Sequence, residues 1–374
     1  MEDLIFFILC FLSTINISIK CLNNFYLDYM NLNNTNSIKG IFVWIIFLQH
    51  YRSYYRRDPK YIYHLILNCT QQKMVSLFLF YSGFGIYESI KKKHINYVKN
   101  LPKKGLFLFI KYQISLLIFL LNNLLLGIKI NFKNYLLSMI LKTGIGNSFW
   151  FSLTIISFYI YSYISFIFIK NNNFIIIGFL LINIISLLHI YLVYNYYHPK
   201  SFCSVDNILC FNIGLYYSLF KNYLDKIIMK NDANYYGFFL FNIIIYTYYY
   251  NYKIKFLWTV SIINALFSLI IILITMKIRF NNEFLILLNS HSYSIYLLQR
   301  AIMKFFKNYN YFSSNNFIRF FIEFITIIFI SSVFDKNTDF IYKFIINYKS
   351  KKKELINIFN DENIKLVLIN RNKK

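Results

Sequence analysis

The chain has 374 residues, of which 57% are hydrophobic, 21% aromatic and only 15% charged, with a mean hydropathy of +0.46. A soluble domain needs roughly a quarter of its residues charged to cover its surface, so the composition excludes one and predicts an all-α, polytopic transmembrane helical bundle. The net charge of +25 sits in short clusters beside apolar runs rather than on one soluble module, which excludes nucleic acid as a partner and makes the lipid bilayer the first one.

A spanning helix needs about 20 apolar residues, fewer where neighbours shield it. On that measure ten to eleven membrane helices follow along the chain. The first, 4–20, opens on Glu2 and Asp3 rather than on a basic stretch, and no small-residue cleavage site follows. It therefore reads as a retained extra helix, with its loop, over residues 1–37.

The next segment, 39–55, is polar for a membrane helix and is expected inside the bundle. Lys39 and His50 lie eleven residues apart in it, which on an α-helix is about 16 Å of rise and about 20° of rotation. Both project from one face. Lys39 is either a snorkelling end residue or a cation at the mouth of a cavity. His50 is either interfacial or functional, since an ionisable group inside a membrane needs a polar cavity or a partner.

Segment 74–90 carries Ser82-Gly83-Phe84-Gly85 at its centre, where small residues suit either close helix packing or a substrate passage. A basic loop follows, with Lys91, Lys92, Lys93, Lys99, Lys103 and Lys104, and then segment 105–128. Segment 149–169 begins with Trp150-Phe151, an aromatic pair of the kind found at membrane interfaces. The segments 174–195, 205–221, 236–251 and 256–276 follow, the third of them Tyr-rich.

Segment 284–305 contains Asn289, Ser290, His291, Ser292, Tyr293, Ser294, Tyr296, Gln299 and Arg300. Tyr293, Tyr296 and Arg300 share a face. A lipid-facing wall would not hold these groups, so this segment should line a cavity or a buried network. After 317–334 a basic tail occupies 347–374, and the body of the bundle is thus 38–346.

The basic clusters fall on one side if the span count is odd, which places the C-terminus in the cytoplasm and the N-terminus outside. Arg52, Arg56, Arg57 and Lys60 break that pattern. The five cysteines form no CxxC pair and no metal-ligand spacing, so no metal site is expected. Cys203 and Cys210 could pair only if both faced an oxidising side. His64, His94, His189 and His198 have no motif around them and read as surface or packing residues.

Taken in order, the four patches resemble the acyltransferase 3 family, integral-membrane enzymes that O-acylate sugars from a cytoplasmic acyl donor. Lys39-Gly40 and His50 are similar to its first motif, a basic residue, usually Arg, with His eleven positions on. Ser82-Gly83-Phe84, Trp150-Phe151 and Ser292-Tyr293-Ser294-Ile295-Tyr296-Leu297-Leu298-Gln299 are similar to its later ones. The resemblance spans residues 38 to 334. It departs at Gln299, where the family has His and where an amide cannot exchange a proton near neutral pH, and at Lys39, which lacks the fork of Arg. The basic loop also lacks paired arginines, and the N-terminal helix is additional to a ten-helix pattern.

The resemblance implies an acyltransferase of a bacterial-type cytoplasmic membrane. It would use acyl-CoA, most simply acetyl-CoA, as donor and a hydroxyl of a cell-surface carbohydrate as acceptor. Lys39, Lys103 and Lys104 would hold the donor. His50 would act as general base or position the acyl group, and Ser82, Trp150, Ser292, Tyr293, Tyr296 and Gln299 would line the cavity. A non-enzymatic translocator of polysaccharide or lipid-linked sugar is the alternative.

Overall fold

The protein is described by a computed structural model covering residues 2–55, 70, 73–168, 175–196, 202–252, 259–309 and 316–371. It is an all-α multi-pass membrane protein. The helices are α1 (Glu2–Thr14), α2 (Leu32–Tyr55), α3 (Lys73–Leu125), α4 (Phe132–Met139), α5 (Phe149–Phe166), α6 (Ile175–Tyr196), α7 (Phe202–Ile228), α8 (Asp232–Tyr252), α9 (Thr259–Lys277), α10 (Glu283–Ser290), α11 (Ser292–Asn308) and α12 (Asn316–Arg371). Among the described residues, five helices are long and apolar enough to cross a membrane: α3, α5, α6, α9 and α12. The polar α2 is not one of these, and it is buried along most of its length, from Asn34 to Tyr51. Its neighbours take the place of lipid.

Three predicted boundaries shift. The first helix ends at Thr14, because the chain leaves it at Asn16 with φ +61° and enters strand β1 (Ile17–Ile19), which pairs antiparallel with β2 (Ile278–Phe280). The expected loop after Ile90 is helical, and α3 runs through it with a single break at His94, where φ is +47° and ψ −141°. Pro102, which cannot donate to the helix ladder, lies inside its second segment. The predicted helix 284–305 is two helices, α10 and α11, interrupted at His291.

One end of the bundle collects the basic groups. Lys91 Nζ lies 2.6 Å from Glu88 and 2.7 Å from the Ser218 carbonyl. Lys221 pairs with Asp225 at 2.6 Å, and Asp225 also accepts from Tyr29 at 2.7 Å. Lys277 pairs with Asp232 at 2.7 Å and donates to the Asn24 carbonyl at 3.1 Å, and Arg279 pairs with Asp28. Residues 17–29 are therefore strapped under the same end that carries the 91–104 lysines. Arg56, Arg57, Lys60, His64, Cys69 and His198 lie outside the described residues. Cys210 is a free, buried thiol; Cys10, half-buried, and Cys21, exposed, are free as well. His189 is a packing residue, with Nδ1 2.7 Å from the Tyr161 hydroxyl.

Two glycines set the helix spacing around the site. A Cβ at Gly40 would lie 2.1 Å from the Leu285 carbonyl oxygen on α10, and one at Gly83 would lie 2.1 Å from the Phe211 carbonyl oxygen on α7. Any side chain at either position would force the backbones apart. The pairs Lys39-Gly40 and Ser82-Gly83 thus divide their work between adjacent faces. The glycine admits a neighbouring helix, and the polar residue beside it turns towards an internal cavity.

Candidate active site

That cavity, of about 300 Å³, lies between α2, α3, α5 and the α10–α11 pair. Lys39, Ser82, Ser292, Tyr293, Tyr296 and Gln299, six of the residues singled out in the sequence, line it. Asn289 and Tyr159 join them, and Val43, Ile46, Val75, Phe78, Phe151 and Ile155 supply apolar walls. No carboxylate is among the described residues that line it.

Neighbouring helices hold the walls in place. Phe151 packs against Tyr296 at 4.9 Å and against Phe78 and Tyr293 at 6.4 and 6.3 Å between ring centres. The Tyr293 hydroxyl stands 3.1 Å from Ser152 Oγ and 3.3 Å from the Leu108 carbonyl. Ser82 donates to the Phe78 carbonyl at 2.7 Å, which leaves its oxygen free to accept. Trp150 is half-buried and does not line the cavity; the inward member of the aromatic pair is Phe151. A helix turns about 100° per residue, so only one of two adjacent aromatics can point inward.

Gln299 and Lys39, both lining the cavity, have no hydrogen-bond partner among the described residues. Gln299 is 1% exposed, yet neither its amide nitrogen nor its amide oxygen has a hydrogen-bond partner among the described residues. A buried amide left in this state is costly, by about 1–3 kcal/mol. Lys39 has no carboxylate and no hydrogen-bond acceptor among the described residues. Its ammonium lies 5.4 Å from the centre of the Tyr81 ring.

His50 does not line the cavity but stands one helical turn beyond Ile46. Arg300, next to Gln299, reaches it with Nε and Nη2, each 3.3 Å from His50 Nδ1. A guanidinium can only donate, so His50 Nδ1 accepts, and a neutral ring then carries its proton on Nε2. With that proton His50 is a hydrogen-bond donor, and the nitrogen that could serve as a base is engaged by Arg300.

Lys103 and Lys104 do not reach the cavity. Lys104 donates to the Tyr97 hydroxyl at 3.1 Å, and the Lys103 carbonyl accepts from Tyr342 at 3.0 Å. Both are exposed at the basic end.

A second polar cluster lies across α11, where sequence reading had named only His291 and Ser294. Asp335 of α12 accepts from Lys111 at 2.6 Å, from His291 Nδ1 at 2.5 Å and from the Ser294 hydroxyl. Lys111 and Asp335 join it from helices far apart in sequence, and only the packing of α12 against α3 could have revealed them. Nearer the opposite end of α2, Glu323 is fully buried and accepts from Tyr55 at 2.5 Å.

No protein family, no curated protein and no solved structure matches the chain.

Proposed function

We propose that the protein is a membrane-bound O-acyltransferase that transfers an acyl group, most simply acetyl, from acyl-CoA to a hydroxyl of a cell-surface carbohydrate. One observation carries the reading: residues from separated helices converge on one cavity in which, among the described residues, Gln299 has no hydrogen-bond partner and Lys39 meets only the face of the Tyr81 ring. A buried polar group in a membrane needs a partner, and open groups gathered at one cavity suit a site completed by a ligand.

On this reading the basic end of the bundle faces the cytoplasm, as does the C-terminus, and the N-terminus lies outside. The donor enters beside Lys39, drawn by the exposed charges of Lys103 and Lys104. The acceptor oxygen attacks the thioester carbonyl carbon. The C–O bond forms, the C–S bond breaks, and the hydroxyl proton ends on the departing thiolate. His50, oriented by Arg300, donates from Nε2 to the carbonyl oxygen as negative charge develops there. Donors preorganised in this way contribute about 10²–10³ in rate.

The test is the O-acyl content of surface glycan in strains with and without the gene, normalised to protein level. His50→Ala should abolish acylation. His50→Gln keeps a donor and should retain measurable activity if His50 polarises the carbonyl, whereas a general base would leave it as inactive as Ala. Full acylation in the His50→Ala strain would remove His50 from the chemistry. Unchanged acyl content in the gene-deleted strain would overturn the acyltransferase reading, and loss of the glycan itself would favour the translocator.

A further inference from the structure

We infer that a second, lipid-facing groove holds an acyl chain of an anionic phospholipid, with the phosphate of its headgroup at Lys304. The groove, of about 440 Å³, lies between the second half of α3, the end of α11 and α12, and its size is within the range of ligand pockets. Leu121 and Leu125 of α3, Leu298 and Ile302 of α11 and Ile330 of α12 line it. Leu121, Leu125 and Ile330 are exposed along its rim, and the exposed Ile325 and Phe329 continue the apolar surface outward. Asn122 turns its amide nitrogen to the Ala301 carbonyl at 2.9 Å, so the floor presents hydrocarbon almost throughout. The groove is distinct from the cavity at Lys39. Leu298 and Gln299 are successive residues, about 100° apart around the helix, so α11 presents one side to the groove and another to the cavity.

Depth and charge select the occupant. From Leu298 to Phe306 the helix rises about 12 Å, most of the depth of one leaflet, about 15 Å. The groove therefore runs as a lipid chain does, from the middle of the membrane towards one surface. That surface is the one opposite the basic end, because the α10–α11 pair climbs beside α2, from Asn289 at Asn36 to Arg300 at His50. Lys304 stands there, partly buried, one turn beyond Ala301 and next to the lining Phe305. Its ammonium donates to Asn123 Oδ1, and among the described residues no carboxylate pairs with it. A neutral amide does not offset the charge, and a cation at the edge of the hydrocarbon attracts an anionic headgroup. Lys307, exposed about one turn farther on, adds to the same field. A second copy of this chain carries the same net +25 and brings no net negative charge to the rim. A phospholipid supplies both the chain and the anion. The site is independent of the acyltransferase reading.

The experiment is native mass spectrometry of the purified full-length protein in detergent, titrated with dioleoyl phosphatidylglycerol or dioleoyl phosphatidylethanolamine and read on the first lipid bound. Wild type should bind the anionic lipid about fivefold more tightly than the zwitterionic one, the effect of one lysine at a membrane surface. Lys304→Gln should erase that preference and leave phosphatidylethanolamine binding unchanged. Thr326→Phe, which fills the groove, should weaken both lipids by about tenfold. Leu121→Trp, at the exposed rim, gives the same reading where Thr326→Phe lowers the yield of folded protein. Equal affinity of wild type for both lipids, or a phosphatidylglycerol preference kept in Lys304→Gln, would overturn the headgroup site. Wild-type affinity for both lipids in both groove variants would overturn the groove as the seat of the chain. A dimer in wild type that the groove variants abolish would also overturn it, and would give the groove to a second copy.

Discussion

The two faces of α11 carry polar clusters built to opposite standards. On one face Asp335 is met by Lys111, His291 and Ser294, and it offsets the charge at the start of a helix whose N-cap residue makes no side-chain cap bond. On the other face Gln299, 1% exposed, has no hydrogen-bond partner among the described residues, and across the cavity Lys39 of α2 meets only the face of the Tyr81 ring. Both clusters surround the same interruption at His291. The satisfied one accounts for itself as structure, since it closes a break in a membrane helix with hydrogen bonds from α12 and α3. The open one does not. A group that costs stability and stabilises nothing within the protein points to a ligand.

The largest effect should come from the satisfied side. Asp335→Ala leaves Lys111 buried with only the more distant Asp339, at 4.0 Å, as counter-charge, and breaking such a buried pair costs up to about 3–5 kcal/mol. Thermal unfolding in detergent, followed by tryptophan fluorescence, should show a clear loss of stability. If Asp335→Ala is as stable as wild type, the contrast between the two faces disappears.

On the open side the effect should fall on activity instead. Lys39→Glu places a negative charge where the donor's phosphate is expected and should lower O-acylation by about 10² or more, while Lys39→Arg, with its bidentate fork, should preserve it. Equal glycan acylation in wild type and both variants would leave Lys39 as a helix-end anchor. Gln299→Leu removes an unpartnered amide and should raise stability by up to about 1 kcal/mol, a melting shift of about 1–2 °C. The same melting experiment checks it, and a fall of several degrees would mean that the amide has a structural partner after all. Smallest of all, Lys103→Gln with Lys104→Gln should weaken donor binding by about two- to threefold at low salt, with no difference at high salt.

The membrane class was legible because it depends on composition, and the bundle interior was legible because α2 and the 284–305 segment are too polar to face lipid. The pairing of Lys39 and His50 on one helix face followed from helical period alone. Convergence of the Ser82, Ser292 and Gln299 patches on one cavity was not readable from spacing within any one helix. It required the close crossings at Gly40 and Gly83. The His291 interruption was hidden for a different reason: residues 284–305 keep a helical pattern throughout, and the break is held by Asp335, more than forty residues on.

What the sequence by itself determined is therefore what depends on local period and transfer free energy: the membrane class, the approximate spans, the collection of positive charge at one end, and the faces of α2 and α11 that carry polar groups. What only the tertiary structure decided is which of those groups are satisfied. It turned Phe151 rather than Trp150 inward, kept Lys103 and Lys104 at the surface, engaged His50 Nδ1 with Arg300, and left Gln299 open. The physical reason is that hydrogen-bond satisfaction belongs to pairs of residues from distant helices, and no single stretch of chain contains both members.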